Sequence, residues 1–194
     1  MDSIPRVVIA KMNESLTENF QAWEVELALK QMAPLKAPGP NGMPSLLYQN
    51  FWELVRGDVI HDVLYFLNLG CIPSPLNHTF ITLIPKIKNS EYVTKFRPIS
   101  LCNVLYKIFS KVLANRLKRV LPNIISEHQS AFIKGRLITD NILVAFETLH
   151  YMKNHNSGNS GFMALKLDMS KAYDRVEWSF LKAVMSQMGF VDGG

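Results

Sequence analysis

Cysteine is scarce in this chain, with only Cys71 and Cys102 among 194 residues. Two such thiols make neither a disulfide framework nor a zinc-ligand spacing. They read as buried thiols of a reducing compartment. The five histidines (His61, His78, His128, His150 and His155) show no metal-binding spacing either. No apolar stretch approaches the ~20 residues needed to cross a bilayer. The opening residues, Met1 to Arg6, have neither the basic start nor the long apolar run of a secretory signal. These absences lead to the expectation of a soluble, intracellular protein with no membrane partner, and nothing in the sequence separates nucleus from cytoplasm. There is no internal repeat, and low-complexity sequence is confined to 155–161. Nowhere do two Asp residues stand side by side.

Hydrophobic residues make up 48% of the chain and charged ones 19%, which describes a globular protein able to bury a core. The net charge of +5 suits a polyanionic partner. Residues 1–21 read as a weakly patterned lead-in. From Ala22 the spacing of Val25, Leu29 and Met32 predicts a helix that Pro34 stops. Lys36-Ala-Pro-Gly-Pro-Asn-Gly-Met-Pro44 is a dense run of turn formers, either a rigid loop that presents something or a plain linker. Pro44 suits the first turn of a second helix with Leu47, Phe51, Leu54 and Val55 on its apolar face. A third helix is expected from Asp58 as N-cap to Gly70, with Val59, Val63, Phe66 and Leu67 inward. The period then changes. Thr79 to Ile84 and Phe96 to Leu101 read as strands of a hairpin, Pro98 confining the second to an edge, with lysines at the mouth. Asn103 is expected to cap the longest helix, along which Val104, Ile108, Val112, Leu113, Leu117 and Leu121 keep helical period until Pro122. Its other face, with Lys107, Lys111, Arg116, Lys118 and Arg119, is either merely solvated or a phosphate-tracking surface. A further helix capped by Thr139 or Asp140 turns Ile142, Phe146 and Leu149 inward. A last one carries Leu181, Val184, Met185 and Met188.

Between these two helices lies Ala164-Leu-Lys-Leu-Asp-Met-Ser-Lys-Ala-Tyr-Asp-Arg-Val176. It reads as a strand ending on Asp168, then a short polar turn with Tyr173 and Asp174. Such an Asp either caps the following helix or, held on a rigid element, offers oxygen to Mg²⁺.

Several blocks together resemble one family. Lys36-Ala-Pro-Gly-Pro-Asn-Gly42, Ile84-Pro-Lys86, Phe96-Arg-Pro-Ile-Ser100, Gly135-Arg136 with Asp140, and Leu167-Asp-Met-Ser-Lys-Ala-Tyr-Asp-Arg-Val176 occur in this order in reverse transcriptases of LINE-type (non-LTR) retrotransposons, the wording being plant-like. The resemblance implies an α+β, mostly helical fold that is part of a polymerase right hand. Residues 22–161 would form N-terminal helices and a fingers β-hairpin, and 162–194 the first palm strand and the start of the palm. It implies RNA-directed DNA polymerase chemistry, in which one metal activates the primer 3′-hydroxyl and a second neutralises the leaving pyrophosphate. Asp168 would be the catalytic Mg²⁺ ligand, joined by the backbone carbonyl of Met169. Lys86 (or Lys88) and Arg97 would grip the triphosphate of a dNTP, Arg as a bidentate fork and Lys as a point charge. Tyr173 would exclude a ribose 2′-hydroxyl by clash, its plainer reading being a core tyrosine. Lys107, Lys111 and Arg136 would meet the RNA template and DNA primer, and Arg136 is also placed to pair with Asp140. Lys171 and Asp174 read as local capping or pairing residues.

Two departures limit the resemblance. Asn41 stands where the family commonly has Asp, which loses a charge and keeps the turn chemistry. The family's second catalytic block, Tyr/Phe-Ala-Asp-Asp, is absent, and one Asp does not hold two closely spaced divalent ions. The expectation is therefore a fragment, inactive alone, whose remaining palm and thumb come in cis or in trans. Other readings are a non-catalytic module for RNA or RNA–DNA hybrid, a group II intron maturase-like fragment, or a helical interaction bundle.

Overall fold

The computed structural model describes residues 4–155, 162–169 and 172–191, apart from the side chains of Tyr173 and Asp174. Of the low-complexity stretch 155–161, residues 156–161 lie outside the described residues, as does Lys171. In chain order the elements are α1 (Ala10–Thr17), α2 (Ala22–Lys30), α3 (Ser45–Asn50), α4 (Trp52–Leu69), α5 (Ser74–Asn77), β1 (Thr79–Pro85), β2 (Phe96–Cys102), α6 (Val104–Ile124), α7 (Ile138–Asn154), α8 (Ala172–Arg175) and α9 (Trp178–Met188). This is the mostly helical α+β architecture expected. The chain forms two compact bodies, one of residues 17–116 and one of 1–16 with 117–193.

The first body is built on an apolar core. Val25, Ala28 and Leu29 of α2 meet Tyr48 of α3, Val59 and Val63 of α4, and Val104, Ile108, Phe109 and Val112 of α6. Each large apolar side chain removed from water contributes about 1.5–3 kcal/mol. The α2 start is closed by a capping box, in which the Gln21 N–H donates to Glu24 Oε2 at 3.0 Å. The expected apolar face from Leu47 to Val55 does not form as one stripe. The chain breaks helical geometry at Phe51 (φ −103°, ψ 25°), so α3 turns Ser45 and Tyr48 inward and leaves Phe51 and Leu54 exposed. Nor does a helix begin at Asp58, because α4 runs unbroken from Trp52 through Gly57. A mid-helix glycine costs about 1 kcal/mol, less than burial of Val59 and Val63 returns. The helix ends at Gly70 as expected.

β1 and β2 pair antiparallel with Ile84 opposite Arg97 and Leu83 opposite Pro98. A two-stranded sheet has only edges, so Pro98 is tolerated. Pro122 does not end α6. It lies inside the helix, which continues to Ile124, and the Ile125 N–H still reaches the Leu121 carbonyl at 3.0 Å. Near a helix end one missing N–H is a local loss.

In the second body part of the weakly patterned lead-in is tied to the end of α9. The N–H groups of Val7 and Val8 both donate to the Met188 carbonyl, at 3.0 and 2.9 Å. Asn13 on α1 donates to the Gly189 carbonyl at 2.8 Å and accepts from the Val191 N–H at 3.3 Å. Gly189 ends α9 at φ 98°, and a Cβ there would stand 2.8 Å from the Val8 carbonyl oxygen, so only glycine fits. Sequence periodicity missed this because the order comes from backbone pairing with a distant segment. Two expectations fail in this body. Ile142, Phe146 and Leu149 of α7, expected inward, are 63%, 64% and 56% exposed. Residues 162–169 form no strand, and Leu167 is 83% exposed. A strand needs an edge to pair with, and among the described residues of this body there is none.

Candidate functional site

The hairpin mouth is the most defined part of the site. Past Pro85 the ladder continues for one bond, the Lys86 N–H to the Lys95 carbonyl at 2.8 Å. Strand alternation puts Phe80, Thr82 and Ile84 on one face with Arg97, Ile99 and Leu101, and Lys86 takes the next place on that side. The Lys86 ammonium donates to the Thr94 carbonyl at 3.1 Å, which steadies it at the mouth. Lys86, Lys88 and Arg97 are all exposed. Asn89 turns the tip with φ 57°, a conformation Asn tolerates better than most residues.

The basic face of α6 is less uniform than its sequence. Lys107 donates to the Ala37 carbonyl at 2.9 Å, and Lys111 is half-buried. Arg116, expected on this outer face, is only 4% exposed. Its Nε and an Nη donate to the two oxygens of Glu24 at 2.8 and 2.7 Å. The remaining donors reach the Glu18 and Asn19 carbonyls, and the Phe20 ring lies 3.7 Å beneath the guanidinium. A desolvated charge persists only when paired and fully hydrogen-bonded, and here it is both. Glu24 was missed in the sequence. The signal was there, since Glu24 stands a helical turn before the buried Ala28, on the apolar stripe.

Among the described residues the hydrogen-bond partners of Arg136 are backbone carbonyls and not the Asp140 carboxylate. Its guanidinium donates to the carbonyls of Ser126 and Gln129 and reaches that of Ile125 at 3.5 Å, tying together the chain that follows α6. The Pro-Gly loop also has a defined use. The Asn41 side chain accepts from the Met43 N–H at 3.2 Å, the turn chemistry expected of it. Asn103 stands directly before α6, where its carbonyl accepts the Lys107 N–H at 3.1 Å and its side-chain oxygen accepts the Asn41 N–H at 3.2 Å.

Asp168 and Met169 are exposed, and Tyr173 lies in α8. They belong to the second body, whereas Lys86, Arg97, Lys107 and Lys111 belong to the first. Among the described residues no three Asp, Glu, His or Cys side chains group to hold a metal ion. Mg²⁺ needs near-octahedral oxygen ligation, and a pair of such ions needs several carboxylates. Asp168 and one backbone carbonyl do not meet that need. No described helix is long and apolar enough to cross a membrane.

Comparison with known proteins bears on the same segments. The family described as reverse transcriptase (RNA-dependent DNA polymerase) matches residues 84–192. The Transposon TX1 uncharacterized 149 kDa protein of Xenopus laevis is 31% identical over 189 residues, covering 97% of this chain and 14% of that protein. The Retrovirus-related Pol polyprotein from type-1 retrotransposable element R2 of Popillia japonica is 26% identical over 176 residues, covering 88% of this chain and 22% of that protein. The corresponding polyprotein from type-2 retrotransposable element R2DM of Drosophila melanogaster is 26% identical over 189 residues, or 95% of this chain and 17% of its own length. The chain thus spans less than a quarter of the length of these relatives.

Proposed function

We propose a role that starts from membership: the chain belongs to the reverse transcriptase (RNA-dependent DNA polymerase) family, of the LINE (non-LTR) type. In this reading it supplies the fingers and the start of the palm to an enzyme that adds dNTPs to a DNA primer on an RNA template. One observation carries the reading. Arg97 and Lys86 lie on the same side of an exposed hairpin, at its mouth, inside the segment that matches the family. A guanidinium fork beside an ammonium suits a triphosphate, and positive charge aimed at the transferring phosphoryl group lowers its barrier. Lys88 is the alternative to Lys86.

The other assignments follow from the same premise. Asp168 and the Met169 carbonyl supply part of a Mg²⁺ site, and further carboxylates come from a palm segment in cis or in trans. When bound, Mg²⁺ would neutralise charge on the triphosphate and lower the primer hydroxyl pKa. Tyr173 selects dNTPs over rNTPs by clash with a 2′-hydroxyl. Lys107, Lys111 and Arg136 meet template or primer phosphates, Lys107 through the ammonium protons left after Ala37 and Arg136 through the edge not turned to carbonyls.

Titration with a fluorescent dNTP tests the grip. Arg97→Ala and Lys86→Ala each weaken binding by about tenfold, the loss of one charge-assisted contact. Equal affinity in wild type and both variants would refute the assignment. A second reading, a module that holds RNA or RNA–DNA hybrid without chemistry, is favoured by the net charge of +5 and the exposed lysines of the hairpin. It predicts hybrid binding that weakens steeply with salt and is indifferent to Asp168→Ala.

A further inference from the structure

Gly39 is buried at an unusually close approach of two backbones. A Cβ built there would stand 2.4 Å from both the carbonyl carbon of Cys102 and the amide nitrogen of Asn103. Neither is the end of a flexible side chain, so any larger residue would force the chains apart. Cys102 ends β2, and Asn103 immediately precedes α6. Hydrogen bonds fasten the same loop to the α6 side of that junction, one on each side of Gly39. The Asn41 N–H donates to Asn103 Oδ1 at 3.2 Å, and Lys107, a turn into α6, donates to the Ala37 carbonyl at 2.9 Å.

The junction is also where the hairpin joins the core. Val104 and Ile108 are fully buried, whereas β1 is exposed from Phe80 to its end. A two-stranded ribbon is marginal by itself and takes its direction from its root. We propose that the loop from Ala37 to Asn41 is a positioning strap for the hairpin, with Gly39, Asn103 and Lys107 fixing the β2–α6 root and so setting the aim of Arg97 and Lys86. The proposal rests on the reading of the hairpin mouth as a triphosphate grip. These three residues act through the hairpin and are positioning residues in that respect.

Hydrogen exchange on the full chain tests the strap directly. In Gly39→Ala the hairpin amides, among them the Lys86 N–H, exchange about tenfold faster while core amides of α4 near Val63 keep their rates. Lys107→Met gives a smaller change in the same direction, and Lys107→Arg, which restores a donor to the Ala37 carbonyl, reverses it. If Gly39→Ala does not fold, Lys107→Met carries the test, since it removes a single exposed hydrogen bond. Unchanged hairpin exchange in the folded variants, or acceleration only in step with the core, overturns the strap. Labelled dNTP titration of the same variants separates strap from grip. Weaker binding in Arg97→Ala with wild-type binding in Lys107→Met and Gly39→Ala overturns positioning and leaves the grip standing. Wild-type binding in Arg97→Ala refutes the grip, and the exchange rates then judge the strap alone.

Discussion

Arg116 and Glu24 face each other with 4% and 6% of their side-chain surfaces exposed and share two short hydrogen bonds. Removing one partner leaves an uncompensated buried charge, so Arg116→Met or Glu24→Leu alone destabilises the protein by about 3–5 kcal/mol. Replacing both together recovers much of that loss, because the pair has a desolvation penalty of its own. Urea unfolding of the two single variants and the double variant checks both statements. Tyr48 gives a pH dependence. Burial raises its hydroxyl pKa above the usual 10.0, and the weaker effect of a hydrogen bond with the Asn41 side chain pulls it back. Above the unfolded value the unfolded chain releases a proton that the folded chain keeps. Stability is therefore fully present below about pH 10 and falls as pH rises toward the folded value. Tyr48→Phe removes that part of the fall, seen as a smaller drop in urea midpoint between about pH 9 and pH 11. At this scale the sequence was legible for Val25, Val59, Val63 and Ile108, whose period alone puts them inside. Arg116 was not legible, because a helical wheel reports a residue's own face and not the acid waiting on another helix.

Elements built from local signals were read closely. The hairpin strands fall within a residue of where alternation puts them, and α2 begins at Ala22 as its period predicts but ends at Lys30, short of Met32 and Pro34. Elements that depend on distant pairing were not. The order of residues 7–13 comes from bonds to the end of α9, and the expected Asp168 strand finds no strand to pair with among the described residues of its body. The hairpin carries its own prediction. If its lysines track phosphates, Lys86→Ala and Lys88→Ala each reduce the slope of log affinity against log salt for an RNA–DNA hybrid by about one. Filter binding across a salt series measures this, and unchanged slopes would make the mouth a solvated tip.

At the scale of the whole molecule, the second body exposes much apolar surface. Ile142, Leu143, Phe146 and Leu149 on α7 and Leu165 and Leu167 after it are all exposed. So much apolar surface in one body promotes association, and light scattering of the isolated chain should show self-association that grows with protein concentration. The family was legible in the sequence because its motifs are local words, such as Phe96-Arg-Pro-Ile-Ser100. The metal site was legible only as one carboxylate, because its other ligands would be set by strands that this chain's described residues do not form. In the proposed role the chain contributes nucleotide-gripping and template-facing parts, and Asp168 is one member of a metal ligand set that the described residues do not complete. Primer extension tests this most directly, with the purified chain, an RNA template, a DNA primer, dNTPs and Mg²⁺. The expected result is template–primer binding without extension. Extension by the wild-type chain that disappears in Asp168→Ala would contradict it.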